Sequence, residues 1–131
     1  MRKSIKIVSD PENLRAVEKL IDEMTENHQI ESDLYGKILV ATIEAVNNAI
    51  IHGNKSDRKK KVCIDLYLEG RKIKIKIKDE GEGFEYDKVP DPTAPENIEN
   101  IHGRGVFLMK SLSDGIKFNE SGTEVEMIFK L

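Results

Sequence analysis

"EAVNNAIIHGN", Glu44 to Asn54, is the stretch on which the fold turns. It reads as the end of a helix built from Ala, Val and Ile. Yet Glu44, Asn47, Asn48 and His52 sit inside that apolar run. Burying such groups without partners costs roughly 1–3 kcal/mol each, and more for a charge. A helix that carries them must offer them something to bind. Glu44 and Asn48 are four residues apart, so they share one helical face, one turn from each other. A carboxylate beside an amide oxygen suits a hard cation such as Mg²⁺, or the carboxylate can take a proton from a hydroxyl or a water. A polar pair bonding to nearby loops would look the same, and taken alone that plainer reading has the better claim.

Upstream, Leu34, Ile38, Ala41, Ala45 and Ala49 form one stripe at helical spacing, and Leu39, Val46 and Ile50 form a second. Two stripes mean a helix buried over most of its circumference, from Ser32 to a stop near Gly53. Before it, Ile5 and Ile7 alternate with polar residues as a short strand. Asp10 can cap, Pro11 suits a first helical turn, and Leu14, Val17, Leu20, Ile21 and Met24 make an amphipathic helix. After it, "NKSDRKKK" reads as a solvated connector. Val62, Ile64, Leu66 and Leu68, then Ile73, Ile75 and Ile77, alternate with polar residues as two strands of a hairpin with one wet face. A long proline-bearing loop follows. From Gly105, "GVFLMKSLSD" reads as a short helix. Ile116 with Phe118, and Val125 through Leu131, read as two final strands. The expected fold class is α+β: a two-layer sandwich with a mixed, mostly antiparallel sheet and helices on one face, in a single domain over 1–131.

Two further clusters carry chemistry. In "DEGEGF", Asp79 stands at a strand end, followed by Gly81 and Gly83. The glycines let the backbone turn sharply and let a ligand approach closely. An ionised aspartate only accepts hydrogen bonds, so it favours adenine, with its amino group, over guanine, with a carbonyl at that place. In "HGRGVFLM", Gly103, Arg104 and Gly105 stand just before a helix, where free amides and the positive dipole end attract phosphate. Singly, each reads as well as an acidic turn or a glycine-rich helix entry.

Together and in this order, these segments resemble the boxes of the Bergerat-fold (GHKL) ATPases, the superfamily of gyrase and the histidine kinases. "EAVNNAIIHGN" is similar to their N box, "DEGEGF" to the G1 box, "GRGVFLMKSLSD" to the G2 box and "SGTEVEM" to the terminal Gly-Thr element. Within the superfamily the chain resembles the small bacterial anti-sigma factor serine kinases, from about Asp33 to the C-terminus. The resemblance implies that Glu44 is the catalytic base and Asn48 the Mg²⁺ ligand. It implies that Asp79 binds adenine, with Gly81 and Gly83 shaping that pocket and Thr123 near the base. Gly103 and Gly105 correspond to phosphate-binding glycines with Arg104 nearby, and Tyr86 to His102 to a lid. Histidine kinases usually have asparagine where Glu44 stands, since a histidine acceptor needs no carboxylate base; a serine hydroxyl benefits from one.

The resemblance further implies ATP and Mg²⁺ as cofactors, a STAS-domain anti-anti-sigma partner, a sigma factor and a homodimer. The alternatives are an ATP-binding regulatory module without phosphotransfer and a detached histidine kinase-like ATPase domain. Composition is that of an ordinary soluble chain, with 38% hydrophobic and 34% charged residues and a net charge of -3. That balance gives no general attraction to nucleic acid or anionic membrane. The lysine row 72–78 lacks interleaved aromatics, so it reads as a solvent face and no nucleic-acid partner is expected. No membrane span, secretory signal or disulfide is expected, the last because Cys63 is alone, and the expected compartment is the cytoplasm.

Overall fold

The computed structural model describes residues 1–81 and 101–131, with the side chains of 101–104 excepted. Among the described residues there are five strands and three α-helices. β1 is Arg2–Val8, α1 Leu14–His28, α2 Ser32–Asn48, β2 Lys61–Glu69, β3 Lys72–Lys78, α3 Ile101–Leu112, β4 Gly115–Phe118 and β5 Glu124–Lys130. The strands lie in the order β1-β2-β3-β5-β4. All four pairings are antiparallel, so the mixed component expected from sequence is absent among the described strands. β5 inserts between β3 and β4, a crossover that local pattern cannot reveal.

Register aligns the apolar positions into rows. Ile5, Ile64, Ile77, Val125 and Phe118 face one another across the sheet, and so do Leu66, Ile75, Met127 and Ile116. These rows join Val17, Leu20, Ile21 and Met24 of α1, Ile38, Ala41, Ala45 and Val46 of α2, and Val106 and Met109 of α3 in one core. Burying a side chain of this size is worth about 1.5–3 kcal/mol, which is why α1 and α2 lie on the sheet. The opposite face is wet and alternates in charge: Asp65, Lys76, Glu126 and Lys117 are register partners. Lys76 approaches Glu126 at 3.7 Å and Lys74 approaches Glu69 at 3.9 Å on this surface.

The Asp10 carboxylate accepts from the Glu12 amide at 3.0 Å, capping a short turn over Pro11–Asn13 that leads into α1. The expected stop near Gly53 takes a different form. α2 runs into a π-helical turn over Ala49–Gly53, closed by the Asn54 amide donating to the Ala49 carbonyl at 2.8 Å. Such widened turns are rare and concentrate at functional sites. α2 with this turn, 22 residues over Ser32–Gly53, is long and apolar enough to cross a bilayer by length and composition alone. Its Ile38, Ala41, Ala45, Val46 and Ile50 are buried within the protein, as the core helix of a globular fold requires.

Candidate nucleotide site

α2 and its π turn meet β3 and β5 along a cleft. Ala45, Ala49, Ile77, Met109, Phe118 and Val125 supply apolar walls, and Asn48, His52, Gly53, Gly122, Thr123 and Glu124 complete the lining.

At one end stand Glu44 and Asn48, half-buried on consecutive turns of α2. α3 packs against them through Gly105. A Cβ added at Gly105 would lie 3.1 Å from Glu44 Oε2 and 3.2 and 3.3 Å from Asn48 Nδ2 and Oδ1. Glycine therefore keeps the space beside both polar groups open. This cradle, with its oxygen donors, fits Mg²⁺, which commonly takes one or two protein oxygens and completes its shell with phosphate and water. Among the described residues no group of three or more His, Cys, Asp or Glu side chains could hold a metal by itself.

The opening also yields an expectation. Gly105→Ala adds helix propensity worth up to about 1 kcal/mol. It also pushes Glu44 and Asn48 by a few tenths of an ångström. Thermal melting should therefore show unchanged or raised stability, while catalytic turnover falls about tenfold or more.

At the other end, Asp79 follows the last residue of β3 and is 8% exposed. Its amide donates to the Thr123 carbonyl at 2.9 Å, tying the end of β3 to the start of β5. Its carboxylate accepts from the Gly81 amide at 2.8 Å. Two glycines make this turn possible. A Cβ at Gly53 would sit 2.3 Å from Asp79 Oδ2, and one at Gly81 would sit 1.8 Å from the Gly53 carbonyl oxygen. Burial pushes the Asp79 carboxyl above its ordinary pKa; the Gly81 amide and the charge of Lys60 offset only part of that rise. Thr123 is set by Asn119, whose Oδ1 accepts from the Thr123 and Glu124 amides at 2.8 and 3.1 Å and whose Nδ2 donates to the Thr123 hydroxyl at 2.9 Å.

Of the residues singled out in the sequence, Glu44, Asn48 and Gly105 come together at one end, and Asp79, Gly81 and Thr123 at the other. Gly103, Arg104 and Gly105 are not ahead of a helix: α3 begins at Ile101, so they lie in its first turns. The amides left free there belong to the first four helical residues, Gly103 included, while Gly105 contributes its close approach to α2. Gly83 lies outside the described residues, as does the Arg104 side chain. Of the expected lid, Tyr86 to His102, only the backbone of Ile101 and His102 is described, within α3.

His52 lines the cleft, and burial lowers its pKa. Sequence reasoning missed Gly53 as the contact of Asp79 and Asn54 as its neighbour. Their only local signal is a Gly-Asn pair, which reads equally well as a plain helix stop.

The sequence model of the histidine kinase-like ATPase domain matches residues 7–129. A curated relative named serine-protein kinase RsbW, from Staphylococcus epidermidis, is 34% identical over 99 residues, which is 68% of this chain and 61% of the relative. The protein of that name from Staphylococcus aureus strain JH9 is 36% identical over 97 residues, 67% of this chain and 60% of the relative. The chain thus spans about three-fifths of the length of these relatives. A crystal structure of the RsbU and RsbW domains of a Mycobacterium tuberculosis protein superposes with a TM-score of 0.71 at 18% identity, covering 100% of this chain and 32% of that one. At that identity the likeness is one of fold.

Proposed function

The chain belongs to the histidine kinase-like ATPase domain family, and from that premise we propose that it is an ATP-dependent protein serine/threonine kinase acting as an anti-sigma regulatory factor. Its substrate is a STAS-domain anti-anti-sigma protein in a partner-switching system, and it works in the cytoplasm as a homodimer. The unphosphorylated partner sequesters the kinase and frees the sigma factor; phosphorylation reverses the choice. The names of the relatives support the activity. The observation that supports it is that two residues lining one apolar cleft carry the polar groups outward: Asn48 meets Glu44 and Gly105, and Gly53 meets the Asp79 carboxylate.

The residues divide the work as follows. The apolar walls take the faces of adenine, and the Asp79 carboxylate accepts from its amino group, with Thr123 beside it. The phosphates lie at the first turns of α3, near Gly103, Arg104 and Gly105, and Gly83 is assigned to the same nucleotide site by its place in the sequence motif. Asn48 would supply an oxygen to Mg²⁺, which would neutralise phosphate charge when bound. Glu44 takes the proton of the acceptor hydroxyl. That oxygen bonds to the γ-phosphorus as the bridging bond to the β-phosphate breaks, and ADP leaves with the electron pair. Catalysis of this kind is mostly positioning and charge neutralisation.

The test is incubation with radiolabelled ATP, magnesium and candidate STAS-domain proteins. Acid-stable label on a partner serine or threonine is the expected result. Nucleotide binding with no label on any partner points to a regulatory module, and acid-labile label points to histidine as acceptor.

A further inference from the structure

Ser9, Thr42, Asn54 and Asp79 are the buried polar or charged residues among those described, and Ser9 and Asn54 share a network that reaches Glu80, next to Asp79. Asn54, 1% exposed, is its centre. Its Oδ1 accepts from the Glu80 amide at 2.7 Å. Its Nδ2 donates to Ser9 Oγ at 2.7 Å and to the Lys61 carbonyl at 3.1 Å. A backbone amide can only donate and a carbonyl can only accept, so these partners fix which way the side-chain amide points. Glu80 Oε2 in turn accepts from the Lys61 amide at 2.9 Å, closing a ring of Asn54, Lys61 and Glu80. Ser9 Oγ passes its own proton to the Lys60 carbonyl at 2.7 Å. One side chain thereby joins the end of β1, the start of β2 and the turn after β3.

The bonded amide is the one that matters for the cleft. Glu80 lies between Asp79, the base-recognising carboxylate, and Gly81, whose amide holds that carboxylate. Gly53, next to Asn54, touches the carboxylate from the other side. Asn54 is itself held from both directions: its amide bonds Ala49, and its carbonyl accepts from the Asp57 amide at 3.0 Å. The two residues after it, Lys55 and Ser56, are left-handed at φ 51° and 56°. Side chains other than glycine adopt that conformation at a cost, so the surroundings hold this loop in one shape.

We propose that Asn54 is a positioning residue for base recognition: through the Glu80 amide it holds Asp79 at the cleft and so sets the preference for adenine over guanine. This rests on Asp79 being the base-reading residue, and the experiment separates the two. ATP, GTP and inorganic tripolyphosphate are titrated in magnesium buffer against the parent, Asn54→Ala, Asn54→Asp, Ser9→Ala and Asp79→Asn, each with a thermal melt.

Asn54→Ala should reduce the ratio of ATP to GTP affinity by about tenfold or more, the size expected for misplacing a charged hydrogen bond. Its tripolyphosphate affinity should stay within about twofold, since phosphate contacts lie at the other end of the cleft. Asn54→Asp keeps the acceptor for the Glu80 amide. It should hold the parent ratio even though its melting temperature falls, because a carboxylate then faces the Lys61 carbonyl. Ser9→Ala should lower the melting temperature and leave the ratio alone. If Asn54→Ala does not fold, Asn54→Ser takes its place, its hydroxyl being too short to reach the Glu80 amide. A folded Asn54→Ala or Asn54→Ser protein with the parent ratio overturns the proposal, and so does an Asn54→Asp protein that loses as much discrimination as the alanine variant. An unchanged ratio in Asp79→Asn overturns the base reading, and this proposal with it.

Discussion

Glu44→Gln should lower phosphoryl transfer to the partner by about 10²–10⁴-fold, the usual worth of a positioned general base. It should leave ATP affinity within a factor of a few. The substitution keeps the size and shape of the side chain, so the packing beside Asn48 and Gly105 survives. What disappears is the capacity to take a proton. The amide can still hydrogen-bond to the acceptor hydroxyl, but it cannot receive the proton as the new phosphorus–oxygen bond forms. Single-turnover transfer to a STAS-domain partner, read beside calorimetric ATP binding, separates the two quantities. A variant that transfers as fast as the parent removes Glu44 from the role of base.

Asp79→Asn has two effects of opposite sign. ATP binding should weaken by about 10–150-fold, the equivalent of one charge-assisted hydrogen bond at roughly 1.5–3 kcal/mol, and the preference over GTP should collapse. Stability of the nucleotide-free protein should rise at neutral pH. Burial holds the Asp79 carboxyl above its ordinary pKa. Between the ordinary carboxyl pKa of about 3.9 and the higher folded value, the folded state binds more proton than the unfolded state. Stability contributed by this group therefore falls as pH rises through that window and stays low above it. The uncharged amide avoids that loss, and its oxygen still accepts from the Gly81 amide. Thermal melts from acid to neutral pH should show the gap between variant and parent opening across that window and then holding constant. A destabilised variant that binds ATP normally contradicts both halves of this account.

Much of the molecule can be read from local pattern because its elements are built from local rules. Ile73, Ile75 and Ile77 alternate with lysines because one face of the sheet is buried and the other wet, and the structure buries those three residues. Val17, Leu20, Ile21 and Met24 recur at helical spacing because α1 lies on the core. Glu44 and Asn48 stand out from the apolar run of α2 for the same reason, and the structure sets both beside Gly105 of α3. Non-local features left no such trace. The place of β5 between β3 and β4 depends on a crossover that no residue announces. Gly53 touches Asp79, and Asn54 bonds the Glu80 amide 26 residues away; from sequence, the pair looks like an ordinary helix stop. The π turn over Ala49–Gly53 likewise has no signature in the apolar spacing of α2. α3 starts four residues earlier than the glycines suggest: glycine is a poor helix former by propensity, yet Gly103 and Gly105 lie within the helix, and Gly105 packs against α2.

The claim on which the rest depends is that the cleft between α2 and the sheet is a purine nucleotide site that reads adenine through Asp79. Isothermal titration calorimetry of the parent protein with ATP and then GTP, in magnesium buffer at neutral pH, measures it directly. A saturable heat of binding for ATP, with GTP at least about tenfold weaker, is the result this structure predicts. No binding of ATP up to millimolar concentration, or equal binding of the two nucleotides, would contradict it.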